Sequence, residues 1–503
     1  MSPQDAYASL IGKLREVALI GSAASTLEWD MQTQMPEQGI GVRGEQLELL
    51  STLRHARFTD PAIGELLAIL TTSDLAKGDT PEAANIRETQ RDYTRACKLP
   101  GDLVGAIARQ ESVGQKAWEQ ARKADDFSQF EPHLRTMVGL KQQAADAYGH
   151  DGERYDALLE EYEPGATTVE VASVLEGLRG PLVELVAAVK DSGKDVRHDM
   201  LERKYPGKDQ AEFARFAAQA VGFDFDAGRI DVSAHPFCTG LNTGDTRITT
   251  RYDENFFGDA FFGTLHEAGH GMYEQGLPKA EHFGTPMGES VSLGIHESQS
   301  RMWENAVGRS AAFWKWAYPL AQKRFKDALW DITEDEFVGG ANAIRPTLIR
   351  TESDETTYNL HILLRFELER ALLAGDLDPK DLPGAWTEKM TKYLGVVAPS
   401  DADGCLQDVH WSAGLIGYFP TYTLGNLYAA QLFEKAREDL GDLDDQFAHG
   451  HFAALLTWLR ENIHQHGRRY TAGQLCERVT GKSLSSEPLL RYLRGKAKSY
   501  YGV

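Results

Sequence analysis

Apolar residues recur at three- and four-residue intervals along most of the chain. Near the amino terminus Tyr7, Leu10, Ile11, Leu14, Val17 and Ala18 keep that spacing with charges between them, which predicts an amphipathic helix. The segment lacks the continuous apolar core of a signal peptide, so it reads as the first helix of the fold. A second stripe, Phe262, Leu265, Gly269 and Met272, predicts a helix with one buried face. Helix punctuation is equally regular. Asp79-Thr80-Pro81-Glu82 offers a cap with proline just inside the next helix, Pro100-Gly101 makes a turn, and Glu163-Pro164-Gly165 breaks the chain before TTVEVASVLEGL restarts it. The rhythm changes only between Arg229 and Tyr252. There RIDVS and TRITTRY carry β-branched alternation on either side of the glycine-bearing CTGLNTGDT, which predicts a small hairpin. With no tandem repeat and no low-complexity linker, residues 1–503 read as one mainly α-helical body with a small β element.

Composition narrows the function classes. A formal charge of −22 argues against nucleic acid and anionic membranes as partners, because both require clustered Lys and Arg. No apolar run approaches the roughly 18 residues of a membrane span. Cys97, Cys238, Cys405 and Cys476 are far apart and form no C-x-x-C pair, which suits reduced thiols and a cytoplasmic location.

The chemistry concentrates in FFGTLHEAGHGMYEQG, Phe261 to Gly276, which contains H-E-x-x-H. A helix turns about 100° per residue, so His266 and His270 project from one face and can share one ion. Glu267 points to the side, where it can take a proton from water activated by that ion, the division of labour in a metallopeptidase. Gly269 and Gly271 each cost about 1 kcal/mol relative to Ala within a helix, a cost explained if another backbone or a ligand comes close.

The third ligand is less obvious. A metzincin would place a histidine at position 276, which is glycine here. Glu274 stands two turns, about 12 Å, beyond His266 and is a poor candidate for the same tetrahedron. Downstream, GESVSLGIHESQSRMWENAVG predicts an amphipathic helix holding Glu289, His296, Glu297 and Glu304. His296 and Glu297 are adjacent and about 100° apart, so only one can face the metal, and spacing alone does not choose. Two histidines and a glutamate form a familiar hydrolytic zinc set, which leans toward Glu297. HGH at His449 to His451 and HQH at His464 to His466 look metal-like. Residues two apart on a helix face nearly opposite ways, however, and no carboxylate motif accompanies either.

Five motifs taken together resemble the carboxypeptidase Taq family of zinc metallocarboxypeptidases over nearly the whole chain. They are His235-Pro236-Phe237, the DxRxT at Asp245 to Thr249, the HEXXH at His266 to His270, His296-Glu297-Ser298-Gln299, and GCLQDVHW at Gly404 to Trp411. The resemblance implies that Glu297 is the third zinc ligand and Glu267 the catalytic base and acid. It further implies a mainly α-helical fold with a deep groove and a small sheet, and a homodimer. One motif departs from the family pattern: Ile349-Arg350-Thr351-Glu352-Ser353-Asp354 carries Ser353 where alanine is expected.

A carboxypeptidase must recognise a free terminal carboxylate, and the planar fork of arginine matches one with two hydrogen bonds. Arg350 is the first candidate and Arg247 the second; each could instead pair internally, Arg350 with Asp354 or Glu352 and Arg247 with Asp245. His410 and Tyr422 are candidate donors to the oxyanion of a tetrahedral intermediate. His235 and His296 are expected to orient other groups from behind. The sequence therefore predicts a cytoplasmic enzyme with one zinc ion, cobalt being an acceptable substitute, that releases residues from peptide C-termini. An oligopeptide endopeptidase, or a peptide-binding scaffold without activity, are the competing readings.

Overall fold

The computed structural model describes residues 1–503. The chain divides into two compact units. The first comprises Met1–Cys97, Arg197–Ala341 and Leu432–Ser483, and the second Lys98–Val196, Asn342–Gln431 and Leu484–Val503.

In the first unit α1 (Pro3–Thr33) opens where Ser2 caps it, the Ser2 hydroxyl accepting from the Asp5 amide at 3.1 Å with proline just inside. Its buried residues Ala6, Leu10, Leu14 and Val17 keep the spacing read from the sequence. Strands β1 (Gly228–Val232), β2 (Cys238–Asn242) and β3 (Asp245–Thr250) form one sheet in the order β1-β3-β2. The expected pairing is only half right. RIDVS and TRITTRY do lie side by side, but in parallel, Ile230 opposite Ile248. The hairpin instead joins CTGLN to DTRITT, antiparallel, across Thr243 and Gly244, whose φ of +81° suits a tight turn. CTGLN has too few β-branched residues to announce itself as a strand, so its turn chemistry was the better signal.

The sheet leads into α2 (Phe257–Gly276), joined to it where the buried hydroxyls of Thr250 and Thr264 meet at 3.2 Å. Phe257, Phe261 and Phe262 anchor its first turns in an aromatic core, with Phe261 5.1 Å from Trp314 and 5.3 Å from Phe213. The two glycines of this helix are explained by close approach. A Cβ at Gly269 would lie 2.6 Å from the carbonyl oxygen of Gln299, and one at Gly271 2.5 Å from the Phe223 ring. Gln299 belongs to α3 (Leu293–Arg301), which is capped by Ser292 and runs directly into a six-residue π-helical turn, Met302–Val307. The segment expected as one helix is thus shorter and changes pitch. Glu289 lies before it, pairing with Arg468 at 3.3 Å.

The second unit contains the helices Gly101–Ala124, Glu131–Tyr148 and Thr168–Asp191, and α4 (Glu355–Ala374). The break at Glu163 to Gly165 is followed by a capping box between Thr167 and Glu170. Asp354 caps α4 through the Thr356 amide at 2.8 Å. Leu360, Ile362, Leu363, Leu364 and Phe366 are buried around its whole circumference, which makes α4 the centre of this unit.

Candidate active site

In the first unit Nε2 of His270 and Nε2 of His266 lie 3.3 and 3.6 Å from Oε2 of Glu297. The three ligand atoms all fall within 4.8 Å of one another. Nitrogens and oxygens bound tetrahedrally at about 2.0–2.1 Å sit roughly 3.3 Å apart, so these spacings fit a small divalent ion. Of the carboxylates considered from the sequence, Glu297 is the one that joins the two histidines.

These three side chains are held from behind. Arg301, one turn after Glu297, places Nε 2.7 Å from Glu297 Oε1. Glu304, in the π-helical turn, accepts from Nδ1 of His266 at 2.8 Å and is itself flanked by Arg301 and Arg309, each at 3.3 Å. Burial opposes charge on Glu304, but Arg301 and His266 outweigh it and draw its carboxyl down to about 2. Glu297 is held well below the usual carboxylate range in the same way, Arg301 and His266 overcoming burial. Nδ1 of His296 lies 2.5 Å from Nδ1 of His270, and its Nε2 lies 2.8 Å from Glu274 Oε1. Burial, reinforced by His296, keeps His270 neutral, down to about 3. A neutral imidazole whose Nδ1 is occupied leaves Nε2 free to bind a metal.

Glu267 stands apart from these pairs. It is buried, one of its oxygens meets no protein donor, and burial pushes it up to about 7. A carboxylate so poised near neutrality can accept and return a proton.

Two sequence features find unexpected explanations here. His464 of HQH binds no candidate metal cluster; its Nε2 lies 3.0 Å from Gln299 Oε1, and its ring occupies the space a side chain at Gly276 would need. His235-Pro236-Phe237 and the DxRxT strand prove to be one latch. Thr249 Oγ1 accepts from the Phe237 amide at 2.9 Å and meets Ser233 Oγ at 2.7 Å, and Ser233 also donates to the His235 carbonyl. The His235 side chain itself is exposed. Arg247 pairs with Asp245 through two bonds of 2.8 and 2.9 Å and stacks over Trp29 at 4.2 Å.

In the second unit Arg350 is buried and pairs with Asp408, not with Asp354 or Glu352. Its Nε and Nη2 lie 3.1 and 2.8 Å from Asp408 Oδ1, and Nη1 donates to the Tyr358 hydroxyl at 2.8 Å. Arg365 binds the other oxygen of Asp408 at 2.7 Å. The Ser353 hydroxyl, where the family has alanine, meets Thr347 Oγ1 at 2.9 Å and the Ile349 carbonyl at 3.1 Å, so the substitution brings its own partners. His410 and Tyr422 are brought together, Nε2 to hydroxyl at 3.1 Å, and burial holds His410 neutral, down to about 3.

Arg301, Glu304, Glu274, Lys279 and Asp408 are participants that sequence reasoning either missed or placed differently. Helical spacing was the available signal for two of them: Glu274 lies four residues after His270, and Arg301 four after Glu297.

The chain resembles known proteins over nearly its whole length. The profile of the family described as carboxypeptidase Taq (M32) metallopeptidase matches residues 9–497. The chain is 46% identical to thermostable carboxypeptidase 1 of Thermus thermophilus, over 100% of both chains. It is 37% identical to carboxypeptidase 1 of Bacillus subtilis, over 97% of each. Among solved structures, an M32 carboxypeptidase from Deinococcus radiodurans R1 superimposes with a TM-score of 0.95 at 41% identity, covering 99% of this chain and 100% of that one. Trypanosoma cruzi metallocarboxypeptidase 1 gives 0.94 at 34% identity, covering 98% and 99%.

Proposed function

The chain belongs to the carboxypeptidase Taq (M32) family of metallopeptidases and is a metallocarboxypeptidase, and from that premise we propose how it works. Residues are removed one at a time from peptide C-termini, with one zinc ion held by His266, His270 and Glu297 and with Glu267 as the general base. One observation supports this above the others: two imidazole nitrogens and one carboxylate oxygen converge within 4.8 Å of one another beside a buried glutamate, one oxygen of which meets no protein donor. When bound there, zinc supplies Lewis acidity, lowering the pKa of water and polarising the scissile carbonyl. Glu267 takes the water proton and delivers it to the leaving amine. Glu304 and Arg301 hold His266 and Glu297 in their ligating orientations throughout.

Arg350 is the proposed recogniser of the terminal carboxylate, with Arg247 the second choice and His235 an auxiliary contact. His410 and Tyr422, already hydrogen-bonded to each other, are the proposed oxyanion donors. A cytoplasmic location fits the four free cysteines, and the homodimer implied by the family resemblance belongs to the same proposal, to be checked by light scattering.

Purified protein should contain about one zinc per chain, or cobalt where that metal prevails, since both accept this ligand set. Mass spectrometry of digested peptides should show single-residue ladders from the C-terminus. Internal cuts would instead favour the endopeptidase reading. Glu267→Gln should keep its metal and lose several orders of magnitude of activity; activity within tenfold of wild type would remove Glu267 from the mechanism.

A further inference from the structure

The two histidines of α2 face Glu297 with equivalent nitrogens, yet they are held by different chemistry. Nδ1 of His266 meets a carboxylate directly, Glu304 Oε2 at 2.8 Å. Nδ1 of His270 meets another imidazole, Nδ1 of His296, at 2.5 Å. Two ring nitrogens at that separation must share one hydrogen, since two would clash and none would leave lone pair against lone pair. Which ring owns it decides whether His270 can bind a metal.

The answer lies at the far side of His296. Its Nε2 is 2.8 Å from Oε1 of Glu274, and a carboxylate can only accept, so Nε2 carries a hydrogen. In the Nε2–H tautomer of His296 the Nδ1 is bare and can accept from His270. His270 therefore carries its hydrogen on Nδ1, and its Nε2 lone pair points toward Glu297 Oε2. The orientation of Glu274 is itself fixed, because Oε2 is bound by the ammonium of Lys279. Space for this pair is made by Gly240 of β2: a Cβ there would fall on Glu274 Oε2 and lie 2.6 Å from Lys279 Nζ. The arrangement is thus built from the end of α2, the short helix Lys279–His282 that follows it, α3 and the sheet.

We propose that Glu274, acting through His296, is a positioning residue that sets the metal-binding tautomer of His270, and that Lys279 and Gly240 exist in this unit to hold Glu274 in place. This rests on the reading that His266, His270 and Glu297 hold the ion. Glu274 touches neither substrate nor metal. It works two hydrogen bonds away, one helical turn beyond the ligand it serves.

The test is zinc affinity of the full-length apoprotein, measured by competition with a chromophoric chelator, with the visible spectrum of the cobalt-loaded protein as a second readout. Glu274→Gln offers an amide whose nitrogen must face either His296 or Lys279, both donors, and should weaken zinc binding by about 10–100-fold. His296→Ala should do the same. His296→Asn, whose amide oxygen can stand where Nδ1 stood, should recover much of the affinity. The decisive comparison is the double variant: if Glu274 acts through His296, Glu274→Gln should add nothing in the His296→Asn background. Wild-type protein that binds no zinc overturns the metal-site reading, and this proposal with it. Tight wild-type binding with both single variants within twofold of it overturns the relay alone, as does an undiminished effect of Glu274→Gln in the double variant. Thermal midpoints of the apoproteins identify any variant that has failed to fold. The cobalt spectrum should shift in Glu274→Gln, a change that loss of packing elsewhere would not produce.

Discussion

Arg301 holds one oxygen of Glu297 and leaves the other facing the histidines of α2: its Nε lies 2.7 Å from Oε1, while Oε2, which also accepts from the Ser300 hydroxyl at 3.1 Å, lies 3.3 Å from His270 Nε2. A carboxylate with one oxygen occupied offers a metal a single bond, and a three-ligand site then keeps a position open for water. Arg301 also touches Glu304, so one cation restrains both carboxylates. Arg301→Leu should free Oε1 and leave two buried carboxylates under-compensated. Zinc affinity is expected to fall about 10–100-fold, with Arg301→Lys recovering only part, because a point charge cannot span both acids. Chelator competition on the three proteins checks this; equal affinities would show that Glu297 needs no restraint.

The two acids of this segment should separate cleanly in metal analysis. Glu297→Ala removes a proposed ligand and should leave the dialysed protein empty, whereas Glu304→Ala removes the acceptor behind His266 and a partner of Arg301 and Arg309 and should retain metal with weakened affinity. An empty Glu304 variant beside a full Glu297 variant would exchange their roles.

The helix of the HEXXH motif was legible because its information is local. The i, i+4 spacing of His266 and His270, the glycines at 269 and 271 and the buried stripe through Leu265 all express one helical period. What surrounds it was not legible, because its partners come from distant points of the chain. Gly269 accommodates the backbone of α3, and Gly240 accommodates the Glu274–Lys279 ion pair, contacts that no spacing rule encodes. The same holds for Arg350 and Asp408. Each stood within a quoted motif, but their pairing crosses 58 residues, and the internal partners weighed for Arg350 were only its neighbours Asp354 and Glu352. The β segment was legible in part: alternation identified two of the three strands but cannot tell parallel from antiparallel pairing.

The pairing of Arg350 changes what its replacement should do. Asp408 has a second cation, Arg365, on its other oxygen, so Arg350→Ala leaves Asp408 compensated and the second unit should still fold. If Arg350 recognises the terminal carboxylate, a peptide amidated at its C-terminus should lose a charge-assisted hydrogen bond while Asp408 keeps the guanidinium paired, about 1.5–3 kcal/mol, or roughly ten- to 150-fold in kcat/KM. In Arg350→Ala that gap between free and amidated peptide should narrow while the metal stays bound. Arg350→Lys should restore it only in part. An Ala variant that discriminates as strongly as wild type would move the role to Arg247.

Glu369 gives the second unit a pH dependence whose sign can be worked out. It is fully buried in α4, and burial pushes its carboxyl up to about 7, against the opposing effect of hydrogen bonds from Tyr155 at 2.7 Å, Trp411 at 2.9 Å and the Gly417 amide at 3.1 Å. Near neutrality the folded protein therefore binds a proton that the unfolded chain, with its ordinary carboxyl, has already released. Stability from this group is fully present below about 4.5 and falls as pH rises toward about 7. The protonated acid can donate to the Tyr155 oxygen, since a hydroxyl can reverse, and can still accept from Trp411 and Gly417. An amide cannot match this, because with its nitrogen toward Tyr155 that nitrogen also faces the Gly417 N–H. Glu369→Gln should therefore be less stable than wild type at pH 5, by about 1–3 kcal/mol for one unsatisfied buried group. As pH rises to 8 the wild type loses stability that the variant, having no proton to give up, does not, so the difference between their thermal midpoints should shrink. Subtracting one protein from the other cancels titrations common to both. A difference that stays constant from pH 5 to 8 would mean that Glu369 is already ionised throughout, with its three donors outweighing burial.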